Sequence, residues 1–215
     1  MPFRIATFCL AAVLLAAPYP ALAAQSGAVA AAAAAVRPAP VLPVPAEKLA
    51  IAGVSNAGKV NDSLFRGAQP KPEGFAELQK LGITLVVNLR SEHREVEWER
   101  KQVESLGLRY VNIPIGGFAT PKEEQVAQFL TLFRQSAGQK IFVHCHYGED
   151  RTGVMIATYR IAAQKWSADQ AVQEMHSFGF RGFWHPAMES YVRKFPVTYS
   201  ADPAFAPLRS PAISH

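Results

Sequence analysis

Cysteine is almost missing from this chain. Two occur in 215 residues, and Cys9 falls inside an N-terminal apolar run, which leaves Cys145 as the one thiol of the remainder. A framework of internal disulfides is therefore excluded. A lone Cys is either a small buried hydrophobe or a working thiol, and its neighbours decide which. Blocks of like charge are also missing: 22 Lys and Arg are mixed with 17 Asp and Glu, for a net +5. That balance favours anionic ligands in a general way, but it provides no basic stripe for nucleic acid. The apolar run 5–17 stops at Pro18, short of the roughly 20 residues needed to span a bilayer.

What that run does have is Arg4 before it and the small-residue site Ala21-Leu22-Ala23 after it. This is the pattern of an export signal cleaved after Ala23, and it predicts a periplasmic or secreted protein with no stable membrane anchor once cleaved. The alternative is a retained anchor. From 24 to 49 Ala, Pro and Val dominate, with too little varied apolar bulk for a core, so the stretch is expected to be a linker. The last residues, 199–215, are again rich in Pro and small side chains and are expected to fray. One folded domain over 50–198 remains.

Within it, short apolar runs alternate with amphipathic stretches. Strands are expected at 63–66, 84–88, 109–113 and 140–144, and helices at 72–81, 94–106, 121–136, 152–164, 167–178 and 185–195. Ser167 with Gln170 makes a capping box, and Pro121 suits a first helical turn. The alternation predicts an α/β domain with a mostly parallel sheet.

The strand over 140–144 runs into His144-Cys145-His146-Tyr147-Gly148-Glu149-Asp150-Arg151-Thr152-Gly153 and then directly into a helical pattern. A cysteine is thus placed at a strand-to-helix turn. The residues from His146 to Asp150 give the loop room to curl, so that its N–H groups point inward at the helix N-terminus and form a cup for a tetrahedral dianion. His146, Tyr147, Gly148 and Glu149 supply the cup. Arg151 reaches back to grip two oxygens with its planar fork. In such a site the thiol of Cys145 is expected to titrate below the free value of about 8.5 and act as a nucleophile. His144 is placed to orient the thiolate and the loop, and Thr152 to donate its hydroxyl to the sulfur.

These residues resemble the signature of the cysteine-based protein tyrosine and dual-specificity phosphatases: His-Cys, five residues, Arg, Ser or Thr, Gly. A chance match is expected on the order of once in millions of positions at average residue usage. The stretches Leu64-Phe65-Arg66-Gly67-Ala68-Gln69-Pro70 and Leu85-Val86-Val87-Asn88-Leu89-Arg90 also look like the opening segments of compact members, so the likeness covers about 60–195. It implies a three-layer fold with helices on both faces of the sheet. It also implies phosphomonoester hydrolysis through a cysteinyl-phosphate, without metal or cofactor. Cys145 would be the nucleophile, Arg151 the phosphate clamp and Thr152 the helper hydroxyl, with a phosphorylated protein or small phosphomonoester as substrate.

The family's general acid is an Asp on a loop ahead of the cysteine strand, and here that loop, NIPIGGFATPKEE, has none. Asp150 is the leading candidate in its place. Its other reading is a brace for the loop, and Glu123 and Glu124 are the alternative acids. Glu149 stands where relatives acting on phosphoinositides often carry Lys, and a carboxylate there would repel polyanionic head groups. Arg90 and Arg66 each follow a strand and could extend the anion site, Arg90 being the stronger candidate. The remaining His residues share no metal-ligand spacing. The rivals are an inositol-lipid phosphatase, a phosphate-binding pseudophosphatase and a sulfurtransferase.

Overall fold

A computed structural model describes Met1 and residues 43–135 and 138–209. The expected signal, Cys9, most of the linker and the end of the tail lie outside the described residues. Four strands carry the expected parallel sheet: β3 (Leu64–Ala68), β4 (Leu85–Asn88), β5 (Arg109–Asn112) and β6 (Ile141–Cys145). Their order is β3-β6-β4-β5, so β6 lies between β3 and β4. Both faces of β3, β4 and β6 are buried, which is why β4 and β6 open on unbroken apolar runs, while β3 buries Arg66 at its centre.

Two further strands of two residues each, β1 (Glu47–Lys48) and β2 (Gly58–Lys59), extend the sheet antiparallel beyond β3. Two residues cannot display a period, so no pattern predicted them, and β1 begins within the stretch expected as linker.

Side chains alternate across the sheet as a pleat requires. Phe65, Val86 and Phe142 face α1 (Pro72–Lys80) and α2 (His93–Ser105), against Phe75, Leu78, Val96 and Val103. Leu85, Val87, Ile141 and Val143 face the other way. They meet α3 (Glu123–Gln135), α4 (Asp150–Gln164), α5 (Ala168–Ser177) and α6 (Pro186–Ala201) through Val126, Phe129, Met155, Val172 and Phe195. This is the expected three-layer α/β architecture. By the same parity Cys145 belongs to the α4 side, while His144 points toward α2.

The Ser167 capping box is formed in both directions: Ser167 Oγ accepts from the Gln170 N–H at 3.2 Å, and Gln170 Oε1 accepts from the Ser167 N–H at 2.9 Å. Helix α6 does not stop at 195. It continues through Pro196 to Ala201, and a 3₁₀ turn at Pro203–Phe205 and a short α7 (Ala206–Arg209) fold back on it. The reason is local: Phe205 is fully buried between Phe195 and Tyr199, with ring centroids 5.5 and 5.4 Å away. One inserted aromatic outweighs a composition that by itself predicts fraying. No helix among the described residues is long and apolar enough to cross a membrane.

Candidate active site

The parallel strands end at one edge of the sheet, where open α/β sheets hold their ligands. Gln69 follows β3 there, Arg90 follows β4, the 113–122 loop follows β5, and Cys145 closes β6. The sulfur is almost wholly buried at the floor of the 146–149 loop. Helix α4 begins immediately after. The Gly153 N–H bonds the Glu149 carbonyl at 2.8 Å, so the N–H groups of Asp150, Arg151 and Thr152 belong to the first turn, which has no carbonyls of its own to bond.

The curl of this loop depends on Gly148, whose φ is +70° and where a Cβ would lie 2.4 Å from the Gly67 carbonyl carbon. Its carbonyl accepts a 2.7 Å hydrogen bond from Arg66. Arg66 is therefore a buried prop beneath the loop, its guanidinium 4.0 Å from the Phe178 ring centroid. Burial pushes it down to about 10, against the opposing influence of Glu174 and Cys145.

The expected clamp and its companion are close together but engaged elsewhere. Arg151 donates to the Ile115 carbonyl at 3.1 Å and has a guanidinium nitrogen 3.9 Å from a Glu92 carboxylate oxygen. Arg90 pairs with the same Glu92 oxygen through Nε at 3.1 Å and donates to the Gln69 side chain. Burial works to raise the Glu92 carboxyl. It is outweighed by the residue's own backbone hydrogen bond and by the charges of Arg90 and Arg151, which hold it below its ordinary value. The Glu92 carboxylate thus lies between the two arginines. Burial, and then the charges of Arg90 and Arg151, hold His146 below its usual value.

Thr152 is buried and its hydroxyl has no hydrogen-bond partner. The expected bond to sulfur is not made, and the hydroxyl remains uncommitted. Glu149 forms a 2.9 Å ion pair with Arg181. That pairing offsets the repulsion of polyanions which the sequence suggested. Asp150 is tied to the segment before α6: Oδ1 accepts from the Arg181 N–H at 3.0 Å, and Oδ2 is 3.4 Å from His185 Nε2. Both of its oxygens thus face the segment before α6. His185 stacks on Phe118 of the 113–122 loop, with centroids 5.1 Å apart. Glu123 and Glu124 sit in the first turn of α3, and their charges help to raise the partly buried Tyr191 of α6, after burial itself. Tyr147 is exposed on the rim with Arg181 over its ring.

His144 is fully buried, its Nε2 2.7 Å from Glu99 Oε1. Sequence reading missed Glu99, Glu92, Gln69 and the pairing of His185. The rule that strand ends face the ligand reaches Gln69 as it reached Arg90. Nothing marks Glu99, which lies in the highly charged helix HREVEWERKQVES and looks like one more solvated acid.

The family model for a DSP-PTPase phosphatase fused to NAD+ kinase matches residues 48–193. The dual specificity protein phosphatase TpbA of Pseudomonas aeruginosa (strain UCBPP-PA14) is 28% identical over 136 residues, covering 63% of this chain and 60% of that protein. The match thus spans about three-fifths of the relative's length. The human phosphatidylglycerophosphatase and protein-tyrosine phosphatase 1 is 39% identical over 77 residues, 36% of this chain and 37% of that one. The crystal structure of P. aeruginosa TpbA superposes with a TM-score of 0.61 at 23% identity, over 74% of this chain and 98% of that one. TpbA has also been crystallised in complex with pTyr, and that structure gives the same TM-score.

Proposed function

This chain belongs to the DSP-PTPase family, and we propose that it is a metal-independent phosphomonoester hydrolase working through a cysteinyl-phosphate. The observation that carries the reading is the placement of Cys145 at the floor of a loop whose curl requires Gly148, followed directly by the free first-turn N–H groups of α4. A phosphate dianion seated there meets backbone donors, the positive end of a helix and two arginines. To grip it, Arg90 and Arg151 exchange the Glu92 carboxylate for phosphate oxygens.

In the first step the Cys145 thiolate attacks phosphorus, an S–P bond forms and the ester P–O bond breaks. Asp150 gives its proton to the departing oxygen. In the second step Asp150 takes a proton from water as the water oxygen attacks phosphorus. The S–P bond breaks, and thiolate and inorganic phosphate result. Thr152, with no competing partner, is positioned to hydrogen-bond the departing thiolate. Asp150→Asn is expected to slow phosphoenzyme formation most for esters with basic leaving groups, read from single-turnover rates across substituted aryl phosphates. An equal loss across the series would remove Asp150 from the acid role and leave it as a brace.

Exposed aromatic side chains, Phe118 and Tyr147 with Phe183 and Trp184, support an aryl phosphomonoester such as phosphotyrosine as the substrate class. The relative crystallised with pTyr supports it as well. The Arg4 flank, the apolar run and the Ala21-Leu22-Ala23 site support export to the periplasm or beyond. The purified chain is expected to release phosphate from an aryl phosphate in the presence of chelator, and Cys145→Ser is expected to abolish release. Tight phosphate binding without turnover would instead identify a pseudophosphatase.

A further inference from the structure

Helix α2 is charged nearly throughout, yet Glu99 is completely buried. A carboxylate taken out of water is costly unless every lone pair facing the protein has a donor. Glu99 meets that condition on both oxygens: Oε1 is 2.7 Å from His144 Nε2, and Oε2 accepts from Gln69 Nε2 at 3.0 Å. Gln69 in turn accepts from Arg90 through its amide oxygen. His144 has its other nitrogen, Nδ1, 3.3 Å from the carbonyl of Cys145.

The donor directions in this chain are determined. Arginine only donates, so Gln69 must turn its oxygen to Arg90 and its NH₂ to Glu99. At the other end the Cys145 carbonyl only accepts, so Nδ1 must carry a proton. Nε2 then shares a second proton with the Glu99 carboxyl. Whichever atom holds it, the pair is net neutral and presents an N–H dipole to the backbone of Cys145. A glutamine at 99 would keep the connectivity but not the charge: its oxygen must accept from Gln69, so its NH₂ faces Nε2, the second shared proton is lost, and the polarised N–H behind Cys145 becomes that of a plain neutral imidazole.

We propose that Glu99 is a positioning residue for both halves of the site. Through His144 it fixes the proton-donating face behind Cys145, and through Gln69 it fixes Arg90 at the anion cup. The roles assigned to Cys145 and Arg90 rest on the function proposed above. Other groups around the pair form a constant background. From β4, Asn88 donates to the hydroxyl of Tyr110 on β5, a phenol raised by burial. From α2, Arg100 lies over the Tyr110 ring. Arg66 on β3 is influenced by the Cys145 charge, and Phe142 stacks on the His144 ring.

The test uses the full chain and does not need turnover. Cys145 is alkylated with iodoacetamide, and inorganic phosphate is measured as a ligand. Glu99→Gln is expected to slow alkylation at pH 6 roughly tenfold, the scale of one charge-assisted hydrogen bond, while leaving the rate at pH 9 unchanged. It is also expected to weaken phosphate binding by a similar factor. Gln69→Ala cuts only the second arm: phosphate binding weakens and the alkylation profile stays as in the parent chain. A merely structural Glu99 would lower stability and leave the pH dependence of alkylation unmoved, and that result overturns the proposal. If Glu99→Gln does not fold, Gln69→Ala still decides the arm to Arg90, since unchanged phosphate binding there overturns it. A parent chain without phosphatase turnover, but with the alkylation shift in Glu99→Gln, would sink the proposed function and leave this inference standing.

Discussion

Gly148 is the residue whose identity the backbone dictates most strictly. Its positive φ and a virtual Cβ 2.4 Å from backbone leave no room for alanine, so Gly148→Ala must shift β3 or the loop. We expect a loss of about 2 kcal/mol or more in urea unfolding, with phosphate binding abolished. Glu92 is a second pressure point, because it occupies the two arginines to which the proposed function assigns the phosphate oxygens. Glu92→Gln should tighten inorganic phosphate binding roughly two- to fivefold, the range of a partly exposed charge pair. The pH sign follows from its depressed carboxyl. Glu92 stays ionised from neutrality down through the ordinary carboxylate range, so the gap between variant and parent should persist at pH 5 and close only in stronger acid. The stability this ion pair contributes is likewise present above 4.5 and lost as pH falls through the folded-state value. At this scale the sequence exposed residues with a fixed spacing, namely Cys145, Arg151, Thr152 and Gly148. It hid roles that come from burial: Arg66 reads as a strand-end candidate for the anion site and Glu99 as a solvated acid, and only the packed structure shows the first as a buried prop and the second as a buried carboxylate.

Helices and strands that pack broadly were legible, because burial on a strand or stripe leaves a period in the sequence. Strands β3 to β6 and helices α1 to α5 fall within a few residues of their expected places. Elements held by one or two contacts were not. Strands β1 and β2 are too short to carry a pattern, and the end of α6 is masked by Pro196, which argues for a stop that tertiary contact overrides. The 3₁₀ turn and α7 depend on Phe205. Phe205→Ala is expected to cost about 3–5 kcal/mol, as for a fully buried aromatic. Thermal or urea unfolding would measure it, and a change under 1 kcal/mol would mean that the segment after Ala201 merely lies on the surface.

Across the whole molecule, the parallel sheet brings four strand ends to one edge, and the two faces divide the work around Cys145. The α4 face supplies the helix N-terminus and the cup. The α2 face supplies the buried acid behind His144. Residues far from the motif in sequence, Arg66, Gln69, Arg90 and Glu99, reach it through topology, which is why a single linear motif exposed the centre of the site and not its supports. The central claim is that the thiol of Cys145 takes up the phosphoryl group. Acid quench of a reaction with an aryl phosphate within the first turnover, followed by mass spectrometry of the intact chain and its peptides, tests this directly. The account predicts one added phosphoryl group on the peptide containing Cys145, absent in Cys145→Ser and accumulating in a variant slowed in hydrolysis. Full turnover with no phosphorylated Cys145 at any quench time, or turnover that survives in Cys145→Ser, would contradict it.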